Sequence, residues 1–180
     1  MSVATCCRTL IMSSSHFMPN TQPALLIIDV QKGFINDATK HIPARVEGLQ
    51  KKYKTVFATQ FYNPDPSNFR KLIGWNRFTA GSPDTELAFT PIAHVAVITK
   101  PTYSCVTASF LEELKRRNID TIHICGIDTD ICVTKCAVDL FEKNLIPFVL
   151  KDCVASHAGI EAHRAALITI GRFIGRNQII

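Results

Sequence analysis

The chain has 180 residues, of which 47% are hydrophobic and 19% charged, and a net charge of +5. This length suits one domain with a sizeable core, and the composition excludes a disordered chain. The basic residues lie in short scattered groups such as Lys51-Lys52 and Lys115-Arg116-Arg117, which gives no basis for nucleic-acid binding, and no apolar run approaches the ~20 residues of a membrane span.

Residues 1–18, MSVATCCRTLIMSSSHFM, are Ser-rich, carry one Arg and have no acidic residue. Charge and apolar core are both too weak for a secretory signal. A flexible extension is expected, with a mitochondrial transit peptide as the alternative and residues 19–180 as the folded domain. Seven cysteines, Cys6, Cys7, Cys105, Cys125, Cys132, Cys136 and Cys153, form no C-x-x-C pair, and their odd number argues against a complete disulfide framework. Reduced thiols in a cytoplasmic compartment are the simplest reading.

In chain order, ALLIIDV (24–30) is a short continuous apolar run, as expected of a strand buried on both faces. Residues 41–53 form an expected helix with Pro43 in its first turn. TVFATQF (55–61) is a second strand. The stretch 62–92 holds Pro64, Pro66, Pro83 and Pro91 and reads as a loop-rich excursion. HVAVIT (94–99) is a third strand. Helix 105–118 places Val106, Phe110, Leu111 and Leu114 on one face. TIHICGI (121–127), a helix over 130–144, IPFVLKD (146–152) and a helix over 159–175 complete the chain. Strands alternating with helices imply an α/β fold with a mostly parallel central sheet covered on both faces.

In such a sheet, ligands bind at the carboxyl ends of the strands. Asp29 closes the first strand, Lys100 closes the third, and Cys132 follows the fourth by five residues. Singly, each has an ordinary reading: a turn cap, a solvated charge, an inert buried thiol. Together they supply a nucleophile, a base and a cation. A helix N-terminus and a nearby ammonium are expected to lower the thiol pKa. Backbone N–H groups in GIDTDIC are candidates to hold an oxyanion.

The segments LLIIDVQKGFIN, ITKPTYSCVTASFLEEL, ICGIDTDICVTKCAVDLFEKN and FVLKDCVAS resemble the isochorismatase-like cysteine hydrolases, over residues 23–175. The resemblance implies a three-layer α/β/α sandwich and a catalytic triad of Asp29, Lys100 and Cys132. It implies a cis peptide between Ile127 and Asp128, with the N–H groups of Asp128 and Cys132 as the oxyanion hole. Assembly as a homo-oligomer, dimer or tetramer, also follows from it. Phe34 matches a pocket aromatic of the family. Phe61, Trp75 and Tyr103 are further pocket candidates, with Gln60, Asn63 and Arg70 as polar contacts for the substrate.

Nicotinamidases of this superfamily carry a metal-holding Asp and His motif after the second strand. Here that region reads ATQFYNPDPSNF, with Gln60 and Tyr62 in place of the ligands and no His between 42 and 93. No metal and no cofactor are therefore expected. The expected function is hydrolysis of a C–N bond in a small amide, carbamoyl or related substrate through a Cys132 thioester. The alternatives are a catalytically silent metabolite- or protein-binding member and a thiol redox protein using Cys132 and Cys136. His157 and His163 are set aside as general bases.

Overall fold

The computed structural model describes residues 22–180; the expectations for residues 1–18 fall outside them. Five strands form one all-parallel sheet: β1 (Ala24–Ile28), β2 (Val56–Phe61), β3 (Val95–Lys100), β4 (Thr121–Ile127) and β5 (Ile146–Ala155). Their spatial order is β3-β2-β1-β4-β5. The chain thus runs outward from β1 to β3, crosses the sheet, and runs outward again from β4. The order reverses between β1 and β4, and the crevice at a parallel sheet's reversal point is where such folds take ligands.

β1 is central and fully buried. Its side chains alternate between two cores, as the two-residue period of a strand requires. Leu25 and Ile27 join Val56, Ala58, Cys125 and Ile127 on one face, beneath α1 (Ile42–Gln50) and the 62–92 excursion. Ala24, Leu26 and Ile28 join Phe57, Ile122, Ile124 and Val149 on the other. That second face is covered by α3 (Ala108–Arg116), α4 (Thr134–Glu142) and α5 (Ile160–Phe173), through Phe110, Leu114, Cys136, Leu140 and Ile170. The result is a three-layer α/β/α sandwich.

Two expected helices begin later than their apolar spacing suggests. Cys105 to Thr107 stay outside α3, because the Thr107 side chain caps the helix by accepting from the Phe110 N–H. Before α4, residues Thr129–Val133 form a wider π turn, with the N–H groups of Ile131 and Val133 both donating to the Asp128 carbonyl. The excursion contains one short helix absent from the sequence reading, α2 (Asn68–Ile73), capped by Ser67 and closed by Gly74 in the left-handed region.

β1 and β4 approach each other closely at the reversal point. Gly126 has φ +117, and a Cβ there would stand 2.1 Å from the Ile28 carbonyl oxygen. Only glycine fits both that torsion and that space.

Candidate active site

The strand ends converge as the topology requires. Asp29 leaves β1 with φ +46, in the left-handed region, and is wholly buried. Its two carboxylate oxygens have separate partners. Thr59 Oγ1, from β2, donates to Oδ1 at 2.6 Å and accepts from the Asp29 N–H at 3.0 Å. Lys100 Nζ, from the end of β3, donates to Oδ2 at 2.7 Å. The same ammonium donates to the carbonyls of Thr102 (2.9 Å) and Tyr103 (3.1 Å). Its three protons are therefore matched by three oxygens. Nζ also points a long, weak donor contact at the Cys132 Sγ, 3.8 Å away.

Both members of the Asp29–Lys100 ion pair are out of water, with side chains 0% and 4% exposed. A buried pair persists only when its charges are mutually satisfied and hydrogen-bonded. Burial by itself would neutralise Lys100, but the Asp29 carboxylate and the neighbouring thiols outweigh it and hold its pKa above the usual lysine value.

Cys132 departs from the sequence expectation. The helix terminus and the ammonium were expected to lower its pKa; instead it is raised well above an ordinary thiol. Burial is the largest cause and the Asp29 charge the next, with Lys100 opposing and a hydrogen bond to Asp29 adding to the rise. The resting group is a thiol whose proton is directed at a carboxylate. The π turn places Cys132 just before α4 begins.

Cys132 lines a cavity of about 220 Å3, at the small end for ligand sites. Phe34, Phe61, Trp75 and Tyr103 all line it, together with Phe69, Ile73, Ile131, Asp128 and His157. The peptide between Ile127 and Asp128 is cis. Gln60, Asn63 and Arg70, expected as polar contacts for the substrate, are not among the lining residues. Gln60 donates to the Thr85 carbonyl, Asn63 to those of Trp75 and Arg77, and Arg70 to that of Pro64. They tie the excursion together because its backbone carbonyls lack strand or helix partners and need donors.

Cys136, the alternative redox partner for Cys132, is buried in α4, as its place on a helix face leads one to expect. Its sulfur lies 3.8 Å from that of Cys105, both being buried. His157, set aside in the sequence reading, belongs to the cavity wall. Its Nδ1 stands 2.5 Å from Asp128 Oδ2, and its backbone N–H donates to Asp128 Oδ1 at 2.7 Å. Thr59 is the other residue missed. Its one signal is the single hydroxyl within the strand VFATQF. The side chains do not fit a metal ion: Gln60 is engaged with Thr85, and no group of three or more His, Cys, Asp or Glu able to hold an ion occurs among the described residues.

The fold and site define an α/β protein with a doubly covered parallel sheet and a buried Asp, Lys and Cys gathered at the carboxyl ends of its strands. The family is shown by sequence: residues 23–174 match the model of the isochorismatase domain, and the chain belongs to the isochorismatase family. It is 37% identical over 83 residues to an uncharacterized isochorismatase family protein PncA of Bacillus subtilis, covering 46% of this chain and 45% of that one. It is 34% identical over 89 residues to the ureidoacrylate amidohydrolase RutB of Methylobacterium radiotolerans, covering 49% of this chain and 34% of that one. These matches span less than half the length of either relative. Among solved structures, N-carbamoylsarcosine amidase from Thermoplasma acidophilum is similar with a TM-score of 0.68 and 27% identity, over 84% of this chain and 94% of that one.

Proposed function

We propose that the protein is a metal-independent cysteine hydrolase that cleaves a C–N bond of a small amide, carbamoyl or related substrate. The observation that carries this reading is the buried Asp29 carboxylate bonded to Lys100 at 2.7 Å beside the Cys132 thiol, on the wall of an apolar cavity. The amide-hydrolysing names of two similar proteins, ureidoacrylate amidohydrolase and N-carbamoylsarcosine amidase, support the substrate class.

In this cycle Asp29 takes the Cys132 proton as the sulfur attacks the substrate carbonyl. The backbone N–H groups of Asp128 and Cys132 receive the developing oxyanion. Protonated Asp29 gives its proton to the departing nitrogen, and a thioester remains. Asp29 then takes a proton from water, whose oxygen attacks the thioester. The carboxylic or carbamic acid leaves, and the thiol recovers its proton. Lys100 keeps its charge throughout. It holds Asp29 in place and offsets the negative charge that moves between carboxylate and sulfur.

The raised thiol pKa agrees with this order of events. A thiol that is protonated at rest needs a base in contact, and Asp29 is that base. The test is ammonia release from a panel of small amides, carbamoyl compounds and ureides, with and without chelator. Wild type should release ammonia whether or not chelator is present, and Cys132→Ala should lose about 10³-fold or more. Full activity in Cys132→Ala would refute the covalent mechanism.

A further inference from the structure

The proposed cycle uses Asp128 only through its backbone and leaves His157 without a task. Yet these two residues form the most constrained polar pair on the cavity wall. Asp128 grips His157 twice, at Nδ1 (2.5 Å) and at the backbone N–H (2.7 Å). Asn36 Nδ2 donates to the His157 carbonyl at 2.7 Å and fixes the turn from the other side. The imidazole is flanked by Phe34, with centroids 5.5 Å apart, and stands edge-on to Trp75 at 5.7 Å. The ring makes no other hydrogen bond among the described residues, so Nε2 remains unused. The His157 side chain keeps 24% of its surface exposed while Asp128 keeps 4%. The carboxylate is the buried anchor and the imidazole is the accessible end.

Because Nδ1 faces the Asp128 carboxylate, Nε2–H is a donor only in the imidazolium form, which the buried carboxylate favours; that form presents one oriented donor in an apolar site. We propose that His157 is the specificity-determining residue, donating from Nε2 to a neutral acceptor, a carbonyl oxygen or ring nitrogen, on the part of the substrate that stays behind as the acyl group. This rests on the hydrolase reading. The acceptor is neutral because the His157 charge is already balanced by Asp128, and Asp130 also lies within electrostatic range of the ring. Asp128 acts here as a positioning residue. Its side chain orients the imidazole while its backbone N–H faces the reacting carbonyl, so a single residue links acyl-group recognition to the oxyanion site.

The chain has one tryptophan, Trp75, and its contact with His157 makes it a built-in reporter of binding. The test uses Cys132→Ala, so that nothing is turned over, titrated with benzamide, pyridine-3-carboxamide, pyridine-4-carboxamide and 3-carbamoylbenzoate. Trp75 fluorescence and calorimetry give the affinities. At least one pyridine amide should bind about tenfold tighter than benzamide, the value of one well-made hydrogen bond. The carboxylate should bind no tighter than benzamide. The advantage should vanish in His157→Phe and return in part in His157→Gln, which restores a donor; if His157→Phe does not fold, His157→Ala carries the same expectation. Equal affinities across the series, absence of binding, or an advantage that survives loss of the imidazole would each overturn the proposal. Ammonia release by wild type is scored separately. Cys132-dependent release without the affinity difference removes the anchor and keeps the hydrolase. The affinity difference without release from any compound of the wider panel does the reverse.

Discussion

Asp29 Oδ2 and Lys100 Nζ lie 2.7 Å apart, 71 residues apart in sequence, and both are sealed from water. A pair so placed is held by its own mutual satisfaction. Removing one charge strands the other in a medium that cannot solvate it. Lys100→Met should therefore cost about 3–5 kcal/mol of stability. The double variant Lys100→Met/Asp29→Asn should recover part of it. Denaturant titration of the four proteins in the cycle checks this. Additive losses would mean that the pair does not act as a unit.

Thr59 should matter to Asp29 in a second way. Its hydroxyl is the donor to Oδ1, and Thr59→Val removes it with little change of shape. The expected stability loss is about 1–3 kcal/mol. On a substrate of the proposed class, kcat should fall about tenfold or more with KM little changed, because the base is misaligned while the cavity wall is intact. A variant with unchanged kcat would show that Lys100 alone positions the carboxylate.

The state of Cys132 can be read chemically. Burial and the Asp29 charge hold its thiol pKa well above the ordinary value, so little thiolate is present near neutrality. The rate of iodoacetamide alkylation at Cys132, followed by peptide mass spectrometry, should climb about tenfold per pH unit without levelling by about pH 9. A plateau below that range would instead indicate a preformed thiolate.

His157 gives a pH dependence of stability with a defined sign. Its hydrogen bond to Asp128 raises its pKa above the usual 6.5, with Asp130 supporting the shift, and burial and Arg77 opposing it. A raised folded value means that the bond contributes its full stability below about pH 6.5, down to the pH at which Asp128, whose pKa burial raises, takes up its own proton. That contribution is lost as pH rises through the folded value. The Tm difference between wild type and His157→Gln should accordingly be largest near pH 6 and shrink by pH 8. A difference that grows with pH would contradict the assignment of charge.

Gly126 is predicted to be irreplaceable. A methyl group there would meet the Ile28 carbonyl oxygen, a backbone atom that cannot swing aside, at 2.1 Å, in a torsion that L side chains rarely adopt. Gly126→Ala should cost about 3 kcal/mol or more, or leave the protein insoluble. Thermal unfolding of the purified variant measures this, and an unchanged Tm would mean that β1 and β4 can separate at little cost.

The sequence by itself determined the five strands, the four longer helices and the three residues at or just beyond the strand ends. Continuous apolar runs such as ALLII mark strands buried on both faces, and Asp29 stands out after one because a buried strand has no use for charge; Lys100 closes the half-exposed edge strand β3 and stands out only as the charge that ends its apolar run. Tertiary structure decided what those residues touch. In a parallel sheet every neighbour arrives through a crossover, so Thr59 reaches Asp29 from 30 residues away and His157 reaches Asp128 from 29, and no local spacing encodes either contact. The contact of Cys136 with Cys105, 31 residues away, is likewise invisible to local spacing. The thiol of Cys132 was misjudged because the sequence displays the groups that lower a pKa, the helix terminus and the lysine. The depth of burial that raises it is a property of the folded whole, set by how completely the layers above and below the sheet exclude water.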